Sequence, residues 1–214
     1  MTAGEPEPKE GGIELERIIF FSDAVFAIAI TLLVLDIKVP ARSPSLRKDY
    51  VPTWLGHALL GLGSSYFSYV ISFLVIGAFW AAHHRIFRYI TGYDGPLIAL
   101  NTLLLLCVAF LPFPTAVLGE YGDTRIAVVL YASVLTATEF FVLLIWSYAC
   151  RGRRLVSPHI DPKLVRAHTI RAAATVFLFL LSVPAAVVSI PLAQLCWLLT
   201  FVLPRTLGRV LAYR

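Results

Sequence analysis

The chain has 214 residues, 58% hydrophobic and 14% charged, with a net charge of +5 and a mean hydropathy of +0.79. Soluble chains average about 45–50% apolar and about 25% charged. The balance found here excludes a large water-exposed catalytic domain, a disordered chain, a disulfide scaffold and a soluble reader of nucleic acid.

Residues 1–12, MTAGEPEPKEGG, are polar and rich in Pro and Gly, and are expected to form a disordered tail. They lack the basic start of a signal peptide, and the apolar run that follows is too long and has no small-residue cleavage site. That run, Ile18 to Val39, ends at Pro40 and is one span long. Residues 41–65 form a mixed loop, in which Trp54 to Leu62 is an amphipathic piece suited to the membrane surface. A second span runs from Tyr66 to His84 and is followed by a basic turn, RIFRYITGYDGP. The third span is Leu97 to Leu118, with Pro112 and Pro114 near its end, and the fourth is Ile126 to Ala149. A strongly basic segment, residues 151–171, leads to the fifth span, Ala172 to Ile190. Pro191 then separates a shorter sixth run, Leu192 to Leu203; one bent segment over the final 35 residues is the competing reading.

The runs are continuous rather than alternating, and longer than the ~10-residue strands of a membrane barrel. Lipid offers backbone groups no partners, so each span is expected to be helical. The fold class is therefore an all-α integral membrane protein, with six transmembrane helices within residues 13–214. With six spans, thirteen of the 18 Lys and Arg fall on the side of the termini, against five (Lys38, Arg42, Arg47, Lys48 and Arg125) on the other. The positive-inside bias places both ends in the cytoplasm. Cys107, Cys150 and Cys196 lie in or beside apolar runs without motif spacing, and read as small buried hydrophobes.

The first span carries the most information. At 100° per residue, Phe21, Ala24, Ile28, Thr31, Leu32 and Leu35 share a stripe roughly 100° wide. Ser22 and Asp23 point elsewhere. Arg17 stands about 9 Å from Asp23 along the axis, on a different face, so the two are no i,i+4 pair. A carboxylate at this depth requires a partner on another helix. Trp80, His83 and His84 at the end of span two, and Asn101 at the start of span three, lie at the depth of Ser22 and Asp23. A hydrogen-bonded girdle joining spans one to three is expected there. It serves either as glue between helices or directly in gating or proton movement.

The pattern Arg17-x-x-x-Phe21-Ser22-Asp23 at the start of an apolar helix resembles the signature of the transmembrane protein 175 family of potassium channels. The resemblance covers the whole chain in length and span count. It implies six spans per chain, assembly as a homotetramer, and a central pore lined by the first helix without the usual potassium filter. It also implies a constriction at Ile28, five positions after Asp23, with further pore layers at Leu32 and Leu35 and a pore threonine at Thr31. Those four residues belong to the periodic stripe, whose alternative role is plain helix packing. A ring of Ile and Leu can gate by dewetting.

Other signals are weaker. Thr91-Gly92-Tyr93-Asp94-Gly95 resembles a potassium filter faintly, but sits in a basic turn with no pore helix before it. His83 and His84 point about 100° apart, which argues against one metal taking both. Glu139 lies in the middle of span four: protonated, paired with a base, or facing a watery crevice. Asp36 and Lys38 stand at the outer end of span one, as a solvated helix end or as part of the channel mouth. No nucleotide-binding or hydrolase motif occurs. The expectation is a potassium-selective channel of the plasma membrane and no enzyme, with potassium as permeant, no cofactor and no resident metal. Its partners are other copies of the chain and membrane lipids. A secondary or proton-linked transporter is the alternative, against which the absence of an internal repeat argues.

Overall fold

The structure is a computed structural model that describes residues 10–42 and 47–212. Eight α-helices occur among the described residues: α1 Glu10–Leu32, α2 Val51–Leu60, α3 Gly63–Phe87, α4 Gly95–Phe110, α5 Pro112–Tyr121, α6 Arg125–Cys150, α7 Pro162–Val188 and α8 Ile190–Ala212. Among the described residues, an isolated bridge between Ile90 and Val156 is the nearest thing to a strand. Among the described residues, five helical segments are long and apolar enough to cross a membrane; α8 adds the apolar stretch Ile190–Thr200 and continues beyond it. The protein is a multi-pass membrane protein. Of the expected tail, residues 1–9 lie outside the described residues, and residues 10–12 belong to α1.

Local chemistry explains the boundaries. α1 ends in a tightened 3-10 turn, Leu33–Asp36. α2 lies close to the amphipathic piece read from the sequence and buries no residue within this chain. The third span is two helices, α4 and α5, meeting at Leu111, because Pro112 supplies no amide to continue the first. Among the described residues, three helices begin with side-chain caps: Asp94 accepts from the Leu97 amide (3.0 Å), Thr124 from Ala127 (3.4 Å) and Asp161 from Lys163 (2.8 Å). The cap at Asp161 starts α7 some ten residues before the expected boundary, so the second half of the basic segment is helix rather than loop.

The last two helices form a hairpin rather than one bent segment. The break falls at Ser189, whose backbone is extended, not at Pro191. Pro191 sits in the first turn of α8, where its missing amide is harmless. Trp197 Nε1 donates to Ser182 Oγ at 3.1 Å across the antiparallel pair. Cys196 is buried, whereas Cys107 and Cys150 are half-exposed, since the faces that carry them are incompletely covered within one chain.

α3 and α5 approach closely through small residues. A Cβ on Gly119 would stand 3.4 Å from Ser65 Cα and 3.7 Å from Ser68 Cβ. Nearby, Thr115, Ser72 and Tyr131 form a chain of hydroxyls across α5, α3 and α6, each 2.9 Å from the next. Small residues and polar pairs of this kind hold helices together where lipid supplies no hydrophobic drive.

The connections alternate between two faces. On one, the α3–α4 turn meets the α6–α7 loop: Thr91 N–H donates to Leu155 C=O (2.8 Å) and Ser157 N–H to Tyr89 C=O (3.1 Å). Asp94 clasps the same region, accepting from the Tyr148 hydroxyl (2.7 Å) and Arg154 Nη2 (3.0 Å). On the other face, Lys38 and Glu120 approach to 3.8 Å.

Two outcomes follow from this packing. Gly119→Ala should be nearly neutral, whereas Gly119→Leu should cost about 1–3 kcal/mol by forcing α3 and α5 apart, seen as a lower Tm in detergent. The Tyr148 hydroxyl, helped by the Leu97 amide and the Arg154 guanidinium, holds the Asp94 carboxyl below its ordinary value. A carboxylate depressed in the fold stabilises above about pH 4 and loses that contribution as the pH falls further. Asp94→Asn should therefore lower Tm at neutral pH and flatten the decline of Tm in acid.

Candidate functional site

α1 has two unlike faces. Leu15, Ser22, Phe26, Ala29 and Leu33 are buried, packed toward α3 and α4. The opposite face is open: within one chain Phe21 is 63% exposed, Ile28 57%, Leu32 41% and Leu35 71%. Ala24 and Thr31 lie on the same exposed arc, as does Arg17 at its base. The 3-10 turn modifies the upper end of the stripe. At about 120° per residue, Leu35 stands directly above Leu32 instead of drifting around the axis. The Thr31 hydroxyl donates to Ile28 C=O at 2.8 Å, which occupies its hydrogen and leaves oxygen lone pairs on the arc.

The buried face is anchored by a directional chain of hydrogen bonds. His83 Nε2–H donates to Asn101 Oδ1 (3.0 Å), because an amide oxygen can only accept. Asn101 Nδ2 donates to Ser22 Oγ (2.9 Å), and the Ser22 hydroxyl donates to Ile18 C=O (2.8 Å). The chain links α3, α4 and α1 in order. It fixes the histidine as the Nε2–H tautomer, so Nδ1 is a bare acceptor, buried and without a hydrogen-bond partner among the described residues. His83 is fully buried, 4.2 Å from Phe87 in a stack and 5.6 Å from Phe26, centre to centre.

Asp23 belongs to a second, more exposed contact. Its Oδ1 accepts from Trp80 Nε1 at 2.8 Å. Trp80 stacks on His84 with centroids 5.7 Å apart. Ser22, Asp23, Trp80, His83, His84 and Asn101 thus stand together at one depth, while Arg17 and Phe21 stand on the open arc. Adjacent residues take different work: Ser22 points into the bundle and Asp23 toward its edge.

Two features escaped sequence reasoning. Asp94 carries the clasp between the α3–α4 turn and the α6–α7 loop, and the Asp-x-Pro before an apolar run was its signal as a helix cap. The hydroxyl chain Thr115–Ser72–Tyr131 was announced by Ser65, Ser68 and Ser72, a small polar stripe on one face of α3.

The family model described as the endosomal/lysosomal potassium channel TMEM175 matches residues 17–112. A potassium channel of Streptomyces collinus is 42% identical over 183 residues, covering 84% of this chain and 85% of that relative. A potassium channel of Chamaesiphon minutus is 41% identical over 167 residues, covering 77% and 78%. The fold is similar to the crystal structure of a lysosomal potassium-selective channel TMEM175 homolog from Chamaesiphon minutus, with a TM-score of 0.74 and 36% identity over 88% of this chain and 95% of that one.

Asn101 is the central link of the anchor. Asn101→Leu should leave the buried His83 Nε2–H without an acceptor and cost about 1–3 kcal/mol, measured as a loss of thermal stability in detergent. Trp80→Phe, at a half-exposed contact, should cost less. Motif, relatives and fold agree, and the chain belongs to the transmembrane protein 175 family.

Proposed function

We propose that this protein is a potassium-selective cation channel, formed by four copies around an axis lined by α1, in the plasma membrane with both termini in the cytoplasm. The observation that carries the reading is the exposed arc Phe21–Ala24–Ile28–Thr31–Leu32–Leu35 on a helix anchored firmly from behind. One helix per chain encloses nothing, so several copies must meet for the arc to face a conduit, and closed cyclic symmetry is the usual solution. The relatives named as potassium channels support the ion, and the shared fold supports the architecture.

In this reading Ile28 is the narrowest ring, with Leu32 and Leu35 above it. Aliphatic side chains offer an ion nothing in exchange for its water, so passage favours the cation that keeps or sheds its shell at least cost. Potassium, more weakly hydrated than sodium, is favoured on that ground. The Thr31 oxygen is the one polar group of the stripe and offers a lone pair between the aliphatic layers. Ser22, Asp23, Trp80, His83, His84 and Asn101 support the pore from outside it, and Arg17 stands at the base of the arc itself: the anchor sets the rotation of α1 and hence which residues face the axis. No resident cofactor or metal is invoked, and the family is a channel family, not a class of enzymes.

Reconstituted in liposomes with a potassium gradient, the protein should pass potassium in preference to sodium without an energy source. Ile28→Asn should raise the current several-fold and reduce the preference for potassium. Unchanged currents would remove Ile28 from the constriction, and saturable uptake driven by protons would favour a transporter instead.

A further inference from the structure

The 3-10 turn that closes α1 turns one charged residue inward. At about 120° per residue, Asp36 stands above the buried Leu33, just as Leu35 stands above the exposed Leu32. The Asp36 carboxylate therefore lies behind α1, away from the exposed arc. A cavity of about 20 Å³ occupies that place between the end of α1, α3 and α5. Asp36, Ser65, Tyr69, Thr115, Ala116 and Gly119 line it, and it is partly open to the outside. Asp36 Oδ2 is buried and has no hydrogen-bond partner among the described residues. Lys38 acts on Asp36 electrostatically. Its ammonium is largely exposed, however, and stands 3.8 Å from Glu120.

A carboxylate oxygen shielded from water needs a donor or a positive charge. The lining offers mainly lone pairs. The Thr115 hydrogen is taken by Ser72 Oγ or the Leu111 carbonyl, each 2.9 Å away, which leaves oxygen lone pairs for the cavity. The Ser65 and Tyr69 hydroxyls can rotate to present theirs. α1 and α5 both end on this face, so their carbonyl ends add negative partial charge, which the start of α3 offsets in part. The space admits one body the size of a water, which needs about 10–15 Å³. One carboxylate among neutral oxygens suits a monovalent cation. Magnesium keeps several waters and calcium takes about six to eight oxygens, more than this space holds. We propose that the cavity binds an alkali-metal cation, with Asp36 Oδ2 as its charged ligand and the hydroxyl oxygens of Ser65, Tyr69 and Thr115 as neutral ones. The bound ion ties the far end of α1 to α3 and α5. The site lies within one chain, so it stands independently of the pore reading.

The test is the thermal unfolding of the full-length protein in neutral detergent, titrated with sodium, potassium, calcium or choline chloride at equal ionic strength. Sodium or potassium should raise Tm above choline, and the larger shift names the ion. Asp36→Asn should weaken the response roughly ten-fold or more. Lys38→Met should strengthen it by removing a repelling charge. Ala116→Leu, which keeps every charge but fills the space, should abolish it; this variant decides the matter if Asp36→Asn fails to fold. Equal Tm in alkali and choline salts, the mark of a single water in the cavity, would overturn the proposal. So would a calcium shift larger than either alkali shift, or a weaker response in Lys38→Met. A full response in Asp36→Asn or in Ala116→Leu would place the ion elsewhere, in a pore for instance, and would overturn it too.

Discussion

The donor chain from His83 through Asn101 and Ser22 to the Ile18 carbonyl governs the rest of the architecture. Apolar side chains alone could pack α1 against α3 and α4 in several rotations, since lipid penalises none of them. Buried polar groups accept far fewer arrangements, because each unmet donor in a low dielectric is costly. A rotation of α1 by one residue would carry Ser22 away from Asn101 and strand both. The anchor therefore sets the azimuth of the helix, and the azimuth sets which residues stand on the open arc.

This division also explains how a very apolar helix keeps so much of itself exposed. Its buried face is short and mixed, with Ser22 among Leu15, Phe26, Ala29 and Leu33. Its open face is almost wholly aliphatic and aromatic. Neither face alone specifies a channel. Together they give a helix fixed on one side and open on the other, which is the arrangement that the proposed assembly around an axis requires.

Much of this was legible in the residues. Continuous apolar runs announced the helices, because nothing else satisfies backbone groups in lipid. Ser22, Asp23, Trp80, His83 and Asn101 were found by depth alone, since polar side chains at one level of a membrane seek each other. Boundaries were harder. Basic residues at headgroup level are as compatible with helix as with loop, so the start of α7 at Pro162 was hidden until the Asp161 cap was seen. Pro191 drew attention from Ser189, because proline marks a break in sequence yet is at home in a first turn. The cavity beside Asp36 was out of reach: it depends on small residues of two distant segments meeting, and sequence spacing does not carry that register.

The single-residue link at Ser189 has a mechanical consequence. α7 and α8 share their longest packing with each other, and their broad attachment to the remaining helices runs through α6. With no slack in the turn, neither helix can slide lengthwise past the other. The pair is held to the bundle chiefly along its seam with α6, so a sideways tilt of α8 carries α7 with it.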